Sequence, residues 1–133
     1  MFKKIYLIIG ILTVLIFIAT GQYLLRAFPD KEKLDLTFRV MQRSRHIFIL
    51  LSGCTLSVIG VYFQKSNNKF SYALQLLATF ILFTANILFI YCFFYEVDIS
   101  FIPSTPLLHV ATYSFLAGIV LHAIASWIKQ PIS

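Results

Sequence analysis

Residues 46–95 read HIFILLSGCTLSVIGVYF, then QKSNNK, then FSYALQLLATFILFTANILFIYCFFY. Two apolar runs, His46 to Phe63 and Phe70 to Tyr95, flank a polar turn, and neither run contains Asp, Glu, Lys or Arg. A membrane-spanning helix needs about 20 mostly apolar residues, within a range of about 17–25. The apolar character is continuous rather than alternating, which argues against strands. A turn as short as Gln64 to Lys69 forces two such helices to run antiparallel. This stretch therefore predicts a transmembrane helical hairpin.

Two further spans lie on either side of it. The first runs from Ile5 to about Tyr23 after Lys3 and Lys4, and the fourth from Leu107 to Ile128. Thr105 reads as an N-cap, with Pro106 at the first helical position. The segment Val97 to Pro106 is short and carries Pro103. The longest connection is Leu24 to Arg45, and its later part, Asp35 to Arg45, is expected to extend the second helix beyond the membrane. The expectation is an all-α membrane protein, one domain over 1–133, forming a four-helix antiparallel bundle with up-down-up-down order. A competing reading takes Lys3, Lys4, the apolar run and Ala19-Thr20-Gly21 as a cleaved signal peptide. The run is long for such a segment and polar residues continue past it at helical spacing, so an uncleaved anchor is favoured.

Composition agrees. The 133 residues are 59% hydrophobic, 17% aromatic and only 12% charged, and mean hydropathy is +0.86. Soluble domains run at roughly 45–50% apolar and about 25% charged. The surplus apolar surface exceeds what a chain this short can bury, so it needs a solvent other than water. Soluble, disordered and disulfide-rich secreted classes are excluded on that ground.

The net charge of +6 sits at the edges of the apolar runs, which suits topology signals and lipid headgroups rather than nucleic acid. One side holds Lys3, Lys4, Lys65, Lys69 and Lys129 with no acidic residue. The other holds Arg26, Lys31, Lys33, Arg39, Arg43 and Arg45 with Asp30, Glu32, Asp35, Glu96 and Asp98. The acid-free side has its lysines closest to the helix ends, where they count most. Both termini are therefore expected in the cytoplasm, with the protein in the plasma (inner) membrane.

At about 100° per residue, small and polar residues fall into one stripe per helix. These are Tyr6, Gly10, Thr13, Thr20 and Gly21; Arg39, Gln42, His46, Gly53, Ser57, Gly60 and Gln64; Ser71, Gln75, Ala78, Thr79 and Asn86; and Ala111, Ser114, Gly118, His122 and Ala125. Membrane helices use such residues to approach closely, so the stripes are expected inside, with Phe, Leu and Ile facing lipid. Asn86 is expected level with Thr55 or Ser57. His122 is expected to bond Gln75; a proton-relay or ligand-binding histidine is the sharper reading.

Chemistry is sparse. No carboxylate lies inside a span to support catalysis or cation-coupled transport. Zinc would need three or four clustered ligands, and three scattered histidines with Cys54 and Cys92 do not supply them. Both cysteines read as apolar core residues too far apart in depth for a disulfide. The outer arginines read either as the ordinary solvated charges of a helix extension or as an anion site at the outer interface. Arg39 and His46 stack two turns apart on one line, Arg43 lies about 40° away, and Arg45 points elsewhere; Glu96 is the protein group nearest to pair with one arginine. The expected function is a non-enzymatic accessory or ligand- and lipid-binding component without a cofactor. Its partners would be membrane lipids, another membrane protein or a second copy, and no nucleic acid. The alternative is a haem b- or quinone-linked redox protein using His46. His109 is a poor second ligand because it points away from its helix's small-residue stripe, and His122 is about 20 Å further along that helix.

Overall fold

The computed structural model describes residues 2–30, 35–95 and 106–128, and every element among them is helical. The helices are α1 (Phe2–Ala27), α2 (Leu36–Tyr62), α3 (Lys69–Tyr95) and α4 (Pro106–Trp127). At 1.5 Å per residue the shortest, with 22 residues, is about 33 Å long, which exceeds a hydrocarbon core of about 30 Å. All four are long and apolar enough to cross a membrane.

Helix starts follow local chemistry. The Asp35 carboxylate accepts from Thr37 N at 3.0 Å and Phe38 N at 3.4 Å, capping α2. The helical extension expected over residues 35–45 thus forms. Asn68 Oδ1 accepts from Phe70 N at 3.0 Å and starts α3 in the same way. Lys31, Glu32, Lys33, Glu96, Asp98, Thr105 and Lys129, to which roles were assigned above, lie outside the described residues.

α1 packs on α2 through small residues. Tyr6 and Leu7 meet Gly60, Gly10 meets Gly53 and Ser57, and Gly21 meets His46. The approach is backbone to backbone: a methyl group on Gly10 would lie 2.6 Å from Ser57 N and 2.9 Å from Gly53 O. Without a hydrophobic drive between helices in lipid, such close van der Waals contact is what holds a pair together.

The second seam is built differently. α3 is the most buried helix, and it meets α2 and α4 with large side chains. The Phe89 ring stacks on Phe48 at 5.2 Å and meets Phe115 edge-on at 5.6 Å. Ile49, Leu56, Leu82 and Phe93 are fully buried with them. The expectation that Phe, Leu and Ile face lipid therefore fails for the residues of this seam. It does hold for Ile8, Ile11, Leu12, Leu15 and Ile18 of α1, all more than half exposed. The reason is that α2 has two neighbours and so two inward lines. His46, Gly53 and Gly60 face α1. Gln42, Arg45, Ile49, Ser52 and Leu56, at spacings of three and four, form the buried line. A single stripe merges the two. Cys54, read as core, falls outside both lines and is exposed, whereas Cys92 is buried; neither is disulfide-bonded.

Overpacking the first seam tests it. Gly10→Leu and Gly53→Leu should each lower stability by about 1–3 kcal/mol or more, while the exposed Leu51→Ala stays near wild type. Thermal unfolding in mild detergent measures this. An unchanged midpoint for both glycine variants would show that the seam is not close-packed.

Candidate functional site

Polar side chains concentrate at three levels. At the level of Tyr6, the Tyr6 hydroxyl donates to Thr79 Oγ1 at 2.8 Å, and Thr79 donates to Gln75 O at 2.6 Å. Gln75 bonds the turn rather than His122: its Oε1 accepts from Ser66 N at 3.1 Å and its Nε2 donates to Gln64 O at 3.0 Å. The expected His122–Gln75 bond is absent because the turn folds back and takes both ends of the amide. The His122 ring instead lies beside Tyr6 and Phe63, at 6.2 and 5.8 Å, and its Nε2 has no partner.

At mid-height Asn86 joins three helices. Its Oδ1 accepts from Ser52 Oγ at 2.7 Å and its Nδ2 donates to Thr13 Oγ1 at 3.0 Å. The expected partners Thr55 and Ser57 are not used. Ser57 faces α1 and donates to Gly53 O; Ser52 lies on the buried line of α2 that the stripe omitted.

The third level is the entry to α2. The His46 ring stacks on Phe17 at 4.1 Å and lies 6.0 Å from Phe93. Its Nε2 is 2.8 Å from Phe17 O. A carbonyl only accepts, so Nε2 carries the proton. Gly21 leaves room for the ring; a methyl there would lie 3.2 Å from His46 Cε1. Axial ligation of haem through Nε2 would require breaking this bond, and His109 is exposed on α4.

One turn before His46, Gln42 is 4% exposed and neither Nε2 nor Oε1 has a partner. Arg39, half-buried, has its Nε buried without a partner. The two are three residues apart and so are neighbours on one helix face. Arg43 is exposed, and Arg45, expected to point elsewhere, is 3% exposed and makes other interactions. The correction for Arg45 follows from the buried line at three- and four-residue spacing, on which it follows Gln42 and precedes Ile49. Sequence reasoning missed Ser52, Thr13 as a partner of Asn86, and Arg45; the alternating three-four spacing on α2 was the signal for Ser52 and Arg45. A guanidinium and an unsatisfied amide N–H can bind an anion, whereas the His46 Nε2–H is spent on Phe17 O. Among the described residues no three His, Cys, Asp or Glu side chains gather.

The Asn86 junction is testable by a double-mutant cycle. Asn86→Leu should cost about 1 kcal/mol, and its coupling to Ser52→Ala should be near 0.6 kcal/mol, the mean for membrane interhelical hydrogen bonds. Zero coupling in detergent unfolding would show that the bond carries no stability.

Comparison with protein-family models, with curated proteins and with solved structures returned no match. The functional reading rests on the chemistry of the site itself.

Proposed function

We propose that the chain is a multi-pass integral membrane protein of the plasma (inner) membrane, and a non-enzymatic accessory component that binds an anionic lipid or ligand at the outer interface through Arg39, Arg43 and His46. Contact pairs support the up-down-up-down order: Tyr6 with Gly60, Gly10 with Gly53 and Gly21 with His46 run oppositely along α1 and α2. Ser52 with Asn86, and Ser71 with Ala125, do the same for the other neighbours when set beside Phe48 with Phe89 and Gly118 with Leu82. Aromatic residues suit an interfacial position at both ends. Tyr62 and Trp127 are 78% and 84% exposed at one end, and Tyr23, Tyr91 and Tyr95 are exposed at the other.

Arg39 carries the functional reading. A buried guanidinium nitrogen without an acceptor is costly, and an anion supplies the acceptor. Asp35, the N-cap four residues earlier, uses its Oδ2 on the backbone N–H groups of Thr37 and Phe38. Exposed Arg43 adds attraction without confinement, and His46 closes the floor of the site. Interior groups Gln75, Asn86 and His122 belong to packing in this reading.

Two measurements test it. Arg39→Gln should lower co-purifying anionic lipid several-fold with little change in thermal stability, and Arg43→Gln should lower it less. Equal lipid in wild type and Arg39→Gln would overturn the site. For orientation, with Cys54 and Cys92 replaced, Asn67→Cys should resist a membrane-impermeant maleimide applied to intact cells, and Ser104→Cys should react. The reverse pattern would invert the topology. The purified protein should show no Soret band; a Soret band would establish the redox alternative.

A further inference from the structure

Gln42 is buried to 4% exposure at the entry to α2, and both of its side-chain polar atoms lack partners. We propose that Gln42 reads a hydroxyl on the bound anion, so that the site selects a phosphodiester monoanion bearing an alcohol group. The inference rests on the anion-site reading and adds the class of headgroup to it.

Hydrogen-bonding valences decide which ligand fits. An ionised guanidinium only donates, and a phosphodiester monoanion, having no P–OH, only accepts through its phosphoryl oxygens, so Arg39 and the phosphodiester satisfy each other. Gln42 carries one acceptor and two donors. Its Nε2 can share the phosphate, but its Oε1 cannot, because phosphate offers no proton. A buried carbonyl oxygen left unmatched is unfavourable, and the complement that matches it is an O–H or N–H on the same ligand. An ammonium headgroup would supply N–H but would bring positive charge beside Arg39 and the buried Arg45, which like-charge repulsion opposes. A hydroxyl supplies the proton without the charge. Arg39 and Gln42, three residues apart on one face of α2, are spaced to receive adjacent groups of one headgroup. Contrast with Asn86 shows that the open amide is particular to this place: Asn86 is as buried, and both ends of its amide are satisfied from within the bundle.

The same chemistry is presented by a phosphatidylglycerol headgroup and by water-soluble glycerophosphodiesters. Native mass spectrometry of the full chain in mild detergent separates the possibilities, with dioleoyl phosphatidylglycerol, dioleoyl phosphatidylethanol (the same charge and phosphodiester, without a hydroxyl) and dioleoyl phosphatidylcholine as probes. Wild type should retain phosphatidylglycerol about threefold to tenfold over phosphatidylethanol, the range one hydrogen bond confers. Gln42→Leu, or Gln42→Met if the leucine variant fails to fold, should bind both anionic lipids equally while unfolding at a higher temperature than lipid-free wild type. Arg39→Gln should weaken both anionic lipids together. Equal retention of the two anionic lipids by wild type, or a preference that survives Gln42→Met, overturns the hydroxyl reading while leaving the anion site standing. No retention of either over phosphatidylcholine removes the anion site as well. Displacement of phosphatidylglycerol by millimolar glycerophosphoglycerol assigns the site to the soluble ester; resistance to it assigns the lipid.

Discussion

Asn86 has almost no contact with solvent, and an amide in that position must find its partners inside the fold. It finds one on α1 and one on α2, Thr13 and Ser52, while itself belonging to α3. Much of the architecture follows from this requirement. The two hydroxyls must stand at one height, which fixes the relative heights of three helices. Thr13 accepts from Asn86 while donating to Ile9 O, and the single Ser52 proton lies within reach of both Asn86 Oδ1 and Ile49 O, so a mismatch in height would leave the amide unsatisfied while each hydroxyl kept a carbonyl of its own helix. Register therefore depends on the single amide. In an apolar surrounding an open amide is costly, which gives the junction its specificity even though each bond contributes modestly to stability.

The two seams divide the remaining work. Between α1 and α2, Gly10 and Gly53 bring backbones into contact, and the gain is dispersion between closely packed atoms. Between α2, α3 and α4, aromatic and branched aliphatic residues interdigitate. The first seam is intolerant of added volume, and the second is intolerant of lost volume and, at Gly118 against Leu82, of added volume as well. At the same end as Tyr6, Gln75 clamps the turn between α2 and α3 by taking Ser66 N and Gln64 O. A glutamine that looks from the sequence like a possible partner for a buried histidine is instead the fastening of a loop.

Four helices and their polar faces were legible because hydropathy over some 20 residues is a strong, local signal. The entry to α2 was legible for a local reason too: Asp35 stands where an N-cap must. Partner identity was not legible. Asn86 could reach several hydroxyls within one turn, and only the relative rotation of α1, α2 and α3 selects Thr13 and Ser52. The same rotation decides Arg45. A wheel drawn around the glycines Gly53 and Gly60 aims Arg45 away, whereas a wheel drawn around Ile49 and Leu56 aims it inward. The sequence contains both wheels, and a helix with two neighbours uses both.

Gln42 and Asn86 carry the same functional group at similar burial, and comparing them separates structure from site. The bundle closes on Asn86 and satisfies it completely. It closes on Gln42 as tightly and supplies nothing, although Ser, Thr and Gln residues are abundant elsewhere in the chain and a single hydroxyl from α1 or α3 at that height would have sufficed. One turn further along α2, at His46, α1 offers Gly21, α3 offers Phe93, and the imidazole is committed to Phe17 O. Among the described residues no side chain hydrogen-bonds either end of the Gln42 amide. An unmet amide beside an unmet guanidinium nitrogen, at the end of a bundle that satisfies its central amide, is the pattern expected where the missing partner is a ligand rather than part of the chain.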